Sequence, residues 1–207
     1  MFKSLSLKVI IFGFIFTFFS SFGQSFFIGL FNPSVRDTLN ISHGQFGSIY
    51  ATATLLSSFL FIWVGKKIDD INVLRFALYV TVLLSFSCFF FSKISSIVFL
   101  FIAIFLMRFS GQGMMSHTAS TTISRYFTKS RGKALSIGWF GLSVAEFILP
   151  VTIIYLLTIY NWQNIWIFIS LLVLVFLPIA SYFLIKELNL DSRENAENNE
   201  VKNKDIK

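Results

Sequence analysis

The stretch LMRFSGQGMMSHTAS, Leu106 to Ser120, directly follows the run IVFLFIAIF, Ile97 to Phe105, which holds no polar side chain. An arginine, Arg108, stands just inside a segment whose composition suits lipid, and Gln112 and His117 follow it. Whether this stretch crosses a bilayer decides the fold, because an arginine there must be held by other parts of the chain.

The whole chain supports a bilayer as its solvent. Of its 207 residues 55% are hydrophobic, 28 are phenylalanine and only 13% are charged, against about 25% charged in an ordinary soluble domain. The mean hydropathy is +0.74. The formal net charge is +7, but the basic residues cluster at the ends of apolar runs, which speaks for membrane topology rather than nucleic acid. One cysteine, Cys88, lies in an apolar run. It allows neither an internal disulfide nor a CxxC metal site and reads as a small packing or lipid-facing residue.

The first apolar stretch, Val9 to Phe31, exceeds the ~7–15 residues of a signal-peptide core and is followed by no A-x-A cleavage pattern, so it reads as a retained helix. A spanning helix needs about 20 mostly apolar residues. Six segments qualify, at about 8–31, 44–65, 74–92, 96–124, 134–159 and 164–185. The breaks between them are short, so successive helices are expected to be antiparallel neighbours, and Pro33 is expected to end the first. The expected fold is all-α, a polytopic six-transmembrane-helix bundle over residues 1–186. Residues 187–207 are polar, with mixed charge, and read as a disordered cytoplasmic tail.

Charge orients the bundle. With the N-terminus in the cytoplasm, Lys3, Lys8, Lys66, Lys67, Arg75, Arg125, Lys129, Arg131, Lys133 and Lys186 lie inside, and only Arg36 and Lys93 outside. This is a positive-inside distribution. Trp162, near an outer turn, reads as an interfacial anchor.

Arg108 is the basic residue left over. At 1.5 Å per residue it lies roughly 18 Å from Ser96, and Glu146 lies as far from Ala134 on the opposite side. A charge at such depth costs at least ~2.5–3.5 kcal/mol, so it is expected to face a polar interior and to have a partner. The overlap in depth suggests an Arg108–Glu146 ion pair, or one polar network. Its role is either to fix helices four and five or to bind an anion or exchange a proton. On α-helical spacing Arg108 shares a face with Gln112, Met115 and Ala119, with Gly111 and Gly113 allowing close approach. His117 falls about half a turn away and reads as an interfacial or packing residue, not a proton carrier. His43 reads as solvated. Thr17, Ser20, Ser21 and Gln24 form a polar stripe on the first helix, for interhelical hydrogen bonds or as a cavity wall facing Arg108. Gly47, Ala51, Thr54 and Ser58 read as a packing face of the second.

Some of these residues are familiar. The loop VGKKIDDINVLR (Val64–Arg75) is similar to the G-x-L-x-D-R-x-G-R-R loop of the major facilitator superfamily, with Gly65 and Asp69 in the first and fifth positions. Lys67, Asp70 and Asn72 replace its Leu, Arg and second Gly. RFSGQG (Arg108–Gly113) resembles the family's fourth-helix motif, and RYFTKSRGKALSIGWFGLSVAEFILP (Arg125–Pro150) resembles its four-to-five loop and fifth helix. In that helix Gly141 and Ala145 hold the small positions and Glu146 stands where family antiporters have proline. The chain therefore resembles the N-terminal six-helix half of such a transporter, loosely like bacterial monocarboxylate and oxalate/formate members.

The resemblance implies secondary transport of a small solute, an organic anion such as a carboxylate, across a bacterial inner membrane. Arg108, Gln112, Gln24 and Glu146 would line the substrate or ion pathway, and Gly65, Asp69 and Arg131 would belong to the inner gate. It implies no cofactor and no metal, but a small-molecule substrate, protons as a candidate coupling ion, and a second six-helix half from a separate chain or by self-pairing. The alternative is a non-transporting half-transporter or membrane assembly partner. An enzyme is not expected: G-x-S-x-G, H-E-x-x-H and phosphate-cradling Gly-rich motifs are all missing.

Overall fold

Two small-residue contacts organise the bundle. In a bilayer, helices associate through close packing and interhelical hydrogen bonds rather than the hydrophobic effect, so small residues mark the contacts. The fifth membrane helix buries Ala134, Gly138, Gly141 and Ala145 on one ridge, and the first helix lies against it. A Cβ at Gly141 would sit 2.1 Å from the Phe14 carbonyl oxygen. Thr17 donates its hydroxyl to the Gly138 carbonyl at 2.7 Å. The second contact joins the third and sixth helices, where Ser85 and Ser170 each donate to the other's carbonyl, at 3.0 and 2.9 Å.

The computed structural model describes residues 4–186 and 188. The polar tail expected from residue 187 otherwise lies outside the described residues. Among these residues the regular structure is helical throughout. The elements are α1 (Ser4–Ser20), a short 3₁₀ turn (Ser21–Gly23), α2 (Ser25–Leu30), α3 (Asn32–Leu39) and α4 (His43–Val64). A 3₁₀ turn (Gly65–Asp69) then leads to α5 (Val73–Ser92), α6 (Ile97–Met107), a π-helical stretch (Arg108–Met115) and α7 (Ser116–Tyr126). Last come α8 (Arg131–Leu157) and α9 (Trp162–Ile185). Six helical segments are long and apolar enough to cross a membrane: Leu5–Gly23, His43–Asp69, Val73–Ser92, Ile97–Tyr126, Arg131–Leu157 and Trp162–Ile185.

The first segment departs from the expected single helix. It breaks at Gln24, whose backbone is extended (φ −81°, ψ 155°). Pro33 does not end a helix; it stands in the first turn of α3, where its missing N–H costs nothing. Asn40 closes α3 in the left-handed conformation at φ 52°, which asparagine tolerates. Ser42 and Gln45 then form a reciprocal capping box that starts α4. Trp162 is not an exposed anchor: it is buried, and its indole N–H donates to the Thr38 hydroxyl at 3.2 Å. Next to it Phe27, Phe31 and Phe91 surround a fully buried Trp166. This aromatic cluster holds the short helices α2 and α3 in place, since helices of that length have little stability of their own.

α4 and α8 leave broad apolar faces exposed. Phe59 and Trp63 on α4, and Phe147, Val151 and Tyr155 on α8, are all more than half exposed.

Candidate functional site

The fourth membrane segment is not α-helical throughout. From Arg108 to Met115 it is a π-helix, hydrogen-bonded i to i+5, which places one more residue in each turn. The reason lies in a backbone crossing. A Cβ on Gly23 would sit 2.3 Å from the Met107 carbonyl oxygen and 2.5 Å from the Gln112 nitrogen. One on Gly111 would sit 2.7 Å from the Gly23 Cα. Two glycines thus let the broken first segment press directly on the backbone of the fourth. Gly111 and Gly113, poor α-formers on either side of Gln112, are the sequence signal for this irregularity.

The break frees carbonyl groups in the first segment, and Arg108 answers them. Its side chain is buried, at 8% exposure. Nη1 donates to the Gly23 carbonyl at 3.0 Å and to the Ser25 hydroxyl at 3.3 Å. The same Ser25 oxygen accepts from the Tyr50 hydroxyl at 2.8 Å, and the guanidinium carbon lies 5.4 Å from the centre of the Tyr50 ring. A cation at the C-terminal end of a helix is electrostatically favourable, and the aromatic face adds to it.

The other side of Arg108 faces a cavity of about 350 Å³. α4 lines it with Thr54, Ser57, Ser58 and Phe61; the fourth segment contributes Arg108, Gln112, Ser116, His117 and Ser120; α8 adds Trp139. Four lining atoms are buried without a hydrogen-bond partner: Thr54 Oγ1, Arg108 Nε, Gln112 Oε1 and Ser116 Oγ. An unsatisfied buried polar atom costs about 1–3 kcal/mol, so their convergence marks a place for water or a polar ligand. Trp139 closes one wall by donating Nε1–H to the Ser120 hydroxyl at 3.1 Å.

The π-stretch corrects two expectations. Arg108 and Gln112 do share the cavity, but Met115 and Ala119 are fully buried in the core instead. His117, expected half a turn away, lines the same cavity as Arg108, because the wider turns carry it round. Its Nε2 lies 3.0 Å from the Gly65 carbonyl oxygen, and its ring meets Phe61 edge-on with centroids 5.4 Å apart.

The expected pair between Arg108 and Glu146 is not formed; no salt bridge joins them among the described residues. Arg108 turns toward the first segment, while Glu146 is exposed on α8. Gln24 is half-buried at the helix break, and its side chain is not among those lining the cavity. Gly65 is buried at the end of α4, and Asp69 follows in the next turn. Asp69 pairs with Arg125, at 2.5 Å between Oδ1 and Nη2, and Arg125 also donates to the Ile68 carbonyl at 3.2 Å. Arg131 stands exposed at the start of α8. Sequence reasoning thus missed Arg125 as the partner of Asp69, although its place in the basic break before α8 was the available signal. Among the described residues no group of three or more His, Cys, Asp or Glu side chains is arranged to hold a metal.

A bundle of six apolar helices, with a polar cavity beside a broken helix and a buried arginine, is the architecture of a membrane transporter half. The family model of the Major Facilitator Superfamily matches residues 13–205, and the chain belongs to that family. It is an integral, multi-pass membrane protein of a transport family. No curated protein and no solved structure matches it.

Proposed function

We propose that this chain forms one half of a secondary transporter for a small organic anion such as a carboxylate, of the monocarboxylate or oxalate/formate type. The observation that carries the reading is Arg108: a buried guanidinium whose Nε opens on the cavity without a partner, beside the equally unpartnered Gln112 Oε1 and Ser116 Oγ. Arginine suits a planar carboxylate because its fork of donors can bind both oxygens. Ser116 and Thr54 can donate to the same ligand, and the Gln112 amide can orient it. Transporter sites near the bilayer midplane are commonly built on discontinuous helices, and the break at Gln24 puts such a helix end next to Arg108. In this reading Gln24 enters the pathway when the first segment moves.

Glu146 lies two α-helical turns along α8 from Trp139, on the same side of the helix. An intramembrane carboxylate belongs against water or protein rather than lipid. The reading therefore places Glu146 in the pathway or at an interface, and the exposed faces of α4 and α8 against a second six-helix bundle, from another chain or a second copy. Gly65, Asp69 and Arg131 form the inner gate, with Arg125 holding Asp69, on the cytoplasmic side of a bacterial inner membrane. Protons are the coupling ion.

The test is uptake of labelled lactate, oxalate and formate into liposomes, together with calorimetric binding of the same acids. Wild-type protein is expected to bind at least one of them and Arg108→Gln to lose that binding. Binding unchanged in Arg108→Gln would remove Arg108 from the site. Wild-type protein that neither binds nor transports any of the three favours the non-transporting assembly partner.

A further inference from the structure

His117 stands in the wall of the same cavity, one turn past Gln112, at the point where the fourth segment meets the end of α4. Its Nε2 is 3.0 Å from the Gly65 carbonyl oxygen. A carbonyl oxygen has no proton to give, so Nε2 carries the hydrogen and the neutral tautomer is fixed. Nδ1 makes no hydrogen bond. It is therefore the ring atom free to take up a proton, and imidazole is the side chain that ordinarily changes charge between about pH 5 and 8.

The charged surroundings leave that proton to the ring. α4 presents Phe61 and the Gly65 carbonyl to it. Beyond Gly65 come Lys66, Lys67, Asp69 and Asp70, with Asp69 paired to Arg125. The other titratable groups on the elements around the fourth segment are Lys8 of α1, Tyr50 of α4, Arg75 and Tyr79 of α5, and Arg131, Lys133 and Glu146 of α8. None of these is bonded to the imidazole. Arg108, on the same segment, shares the cavity.

We propose that His117 is the proton-binding residue of this cavity. Protonation at Nδ1 turns the ring into a second cation beside Arg108, so proton and anion bind together. The Nε2–H bond to Gly65 ties the event to the turn that holds Asp69. The proposal rests on the anion reading above. By linkage, whatever factor the proton adds to anion affinity, the anion adds to proton affinity. Anion binding therefore tightens as pH falls through the His117 titration, and the titration midpoint moves to higher pH when the anion is bound.

The experiment is nitrogen NMR of the full chain in nanodiscs with labelled histidine, from pH 5 to 8, with and without saturating oxalate or lactate, alongside calorimetry. The chain has 2 histidines, and His43, exposed at the start of α4, serves as internal reference; His43→Gln assigns the signals. The expected result is an Nε2–H tautomer at His117, a midpoint that rises with the bound acid while that of His43 stays, and binding about fivefold tighter at pH 5.5 than at 7.5. His117→Gln keeps a donor for Gly65 and is expected to bind the acid with no such pH dependence. If the acids bind and the His117 midpoint stays put, or the proton sits on Nδ1 in the neutral ring, the His117 assignment is wrong and the anion site stands. If neither acid binds at any pH, the anion reading falls and the coupling with it.

Discussion

Arg108 donates from Nη1 to the carbonyl oxygen of Gly23 at 3.0 Å, across the point where the first and fourth membrane segments touch backbone to backbone. One residue thus satisfies a broken helix with one edge of its guanidinium and presents the other edge to a cavity. Removing it has two separable effects. Arg108→Ala is expected to cost about 1.5–3 kcal/mol of stability, the usual worth of a hydrogen bond to a charged group, read as thermal unfolding in detergent. Arg108→Lys is expected to keep much of that stability yet lose at least about tenfold in carboxylate affinity, because a point charge cannot reproduce the fork. Equal losses in both variants would mean that Arg108 serves the helix break alone.

The backbone crossing itself is tested at glycine. Gly23→Ala and Gly111→Ala each force a methyl group into backbone at 2.7 Å or less and are expected to destabilise by about 1–3 kcal/mol. At Gly29 and Gly47 an added Cβ meets nothing within 4 Å. Alanine there is expected to stabilise the helix by about 0.5–1 kcal/mol. A melting series in which all four behave alike would contradict the contact.

Arg108 and Glu146 are expected to be energetically independent. A double-mutant cycle of Arg108→Gln and Glu146→Gln, scored on unfolding, should give a coupling below about 0.5 kcal/mol. The swapped pair Arg108→Glu with Glu146→Arg should not recover stability. A coupling of several times that size would restore the ion pair that the structure leaves unmade.

Asp69 and Arg125 do form an ion pair, but Asp69 is 68% exposed, so solvent screens it. The cycle of Asp69→Asn and Arg125→Gln should give about 0–1 kcal/mol, falling with added salt. Arg131→Gln, paired in the same cycle with Asp69→Asn, should give no coupling. If Arg131 couples and Arg125 does not, the assignment of partners at this end of the bundle is reversed.

The six segments were legible because a bilayer crossing demands a length of apolar chain, and each run from Val9 to Ile185 carries that length plainly. The ridge of α8 was legible in part through Gly141 and Ala145. The pairing of Arg108 with Glu146 was read from depth, and depth is one coordinate of two. The other is the rotation of α8 about its axis, which is set by Ala134, Gly138, Gly141 and Ala145 seating against α1, and that rotation leaves Glu146 on an exposed side. The break at Gln24 and the π-stretch were not legible from either segment alone. They arise where Gly23 and Gly111 meet, a contact between residues far apart in sequence. His117 was misplaced for the same reason, since ordinary α-helical spacing was applied across a stretch that does not obey it.

The π-stretch also has a bearing on comparison between relatives. Deleting a single residue between Arg108 and Met115 would let the segment close into an ordinary α-helix and swing everything after it by roughly 100°. Ser116, His117 and Ser120 would leave the cavity without any of them being substituted. A relative one residue shorter here would keep the arginine and the glutamine and still present a different wall to its cargo, so the length of this segment is itself a determinant of what the cavity holds.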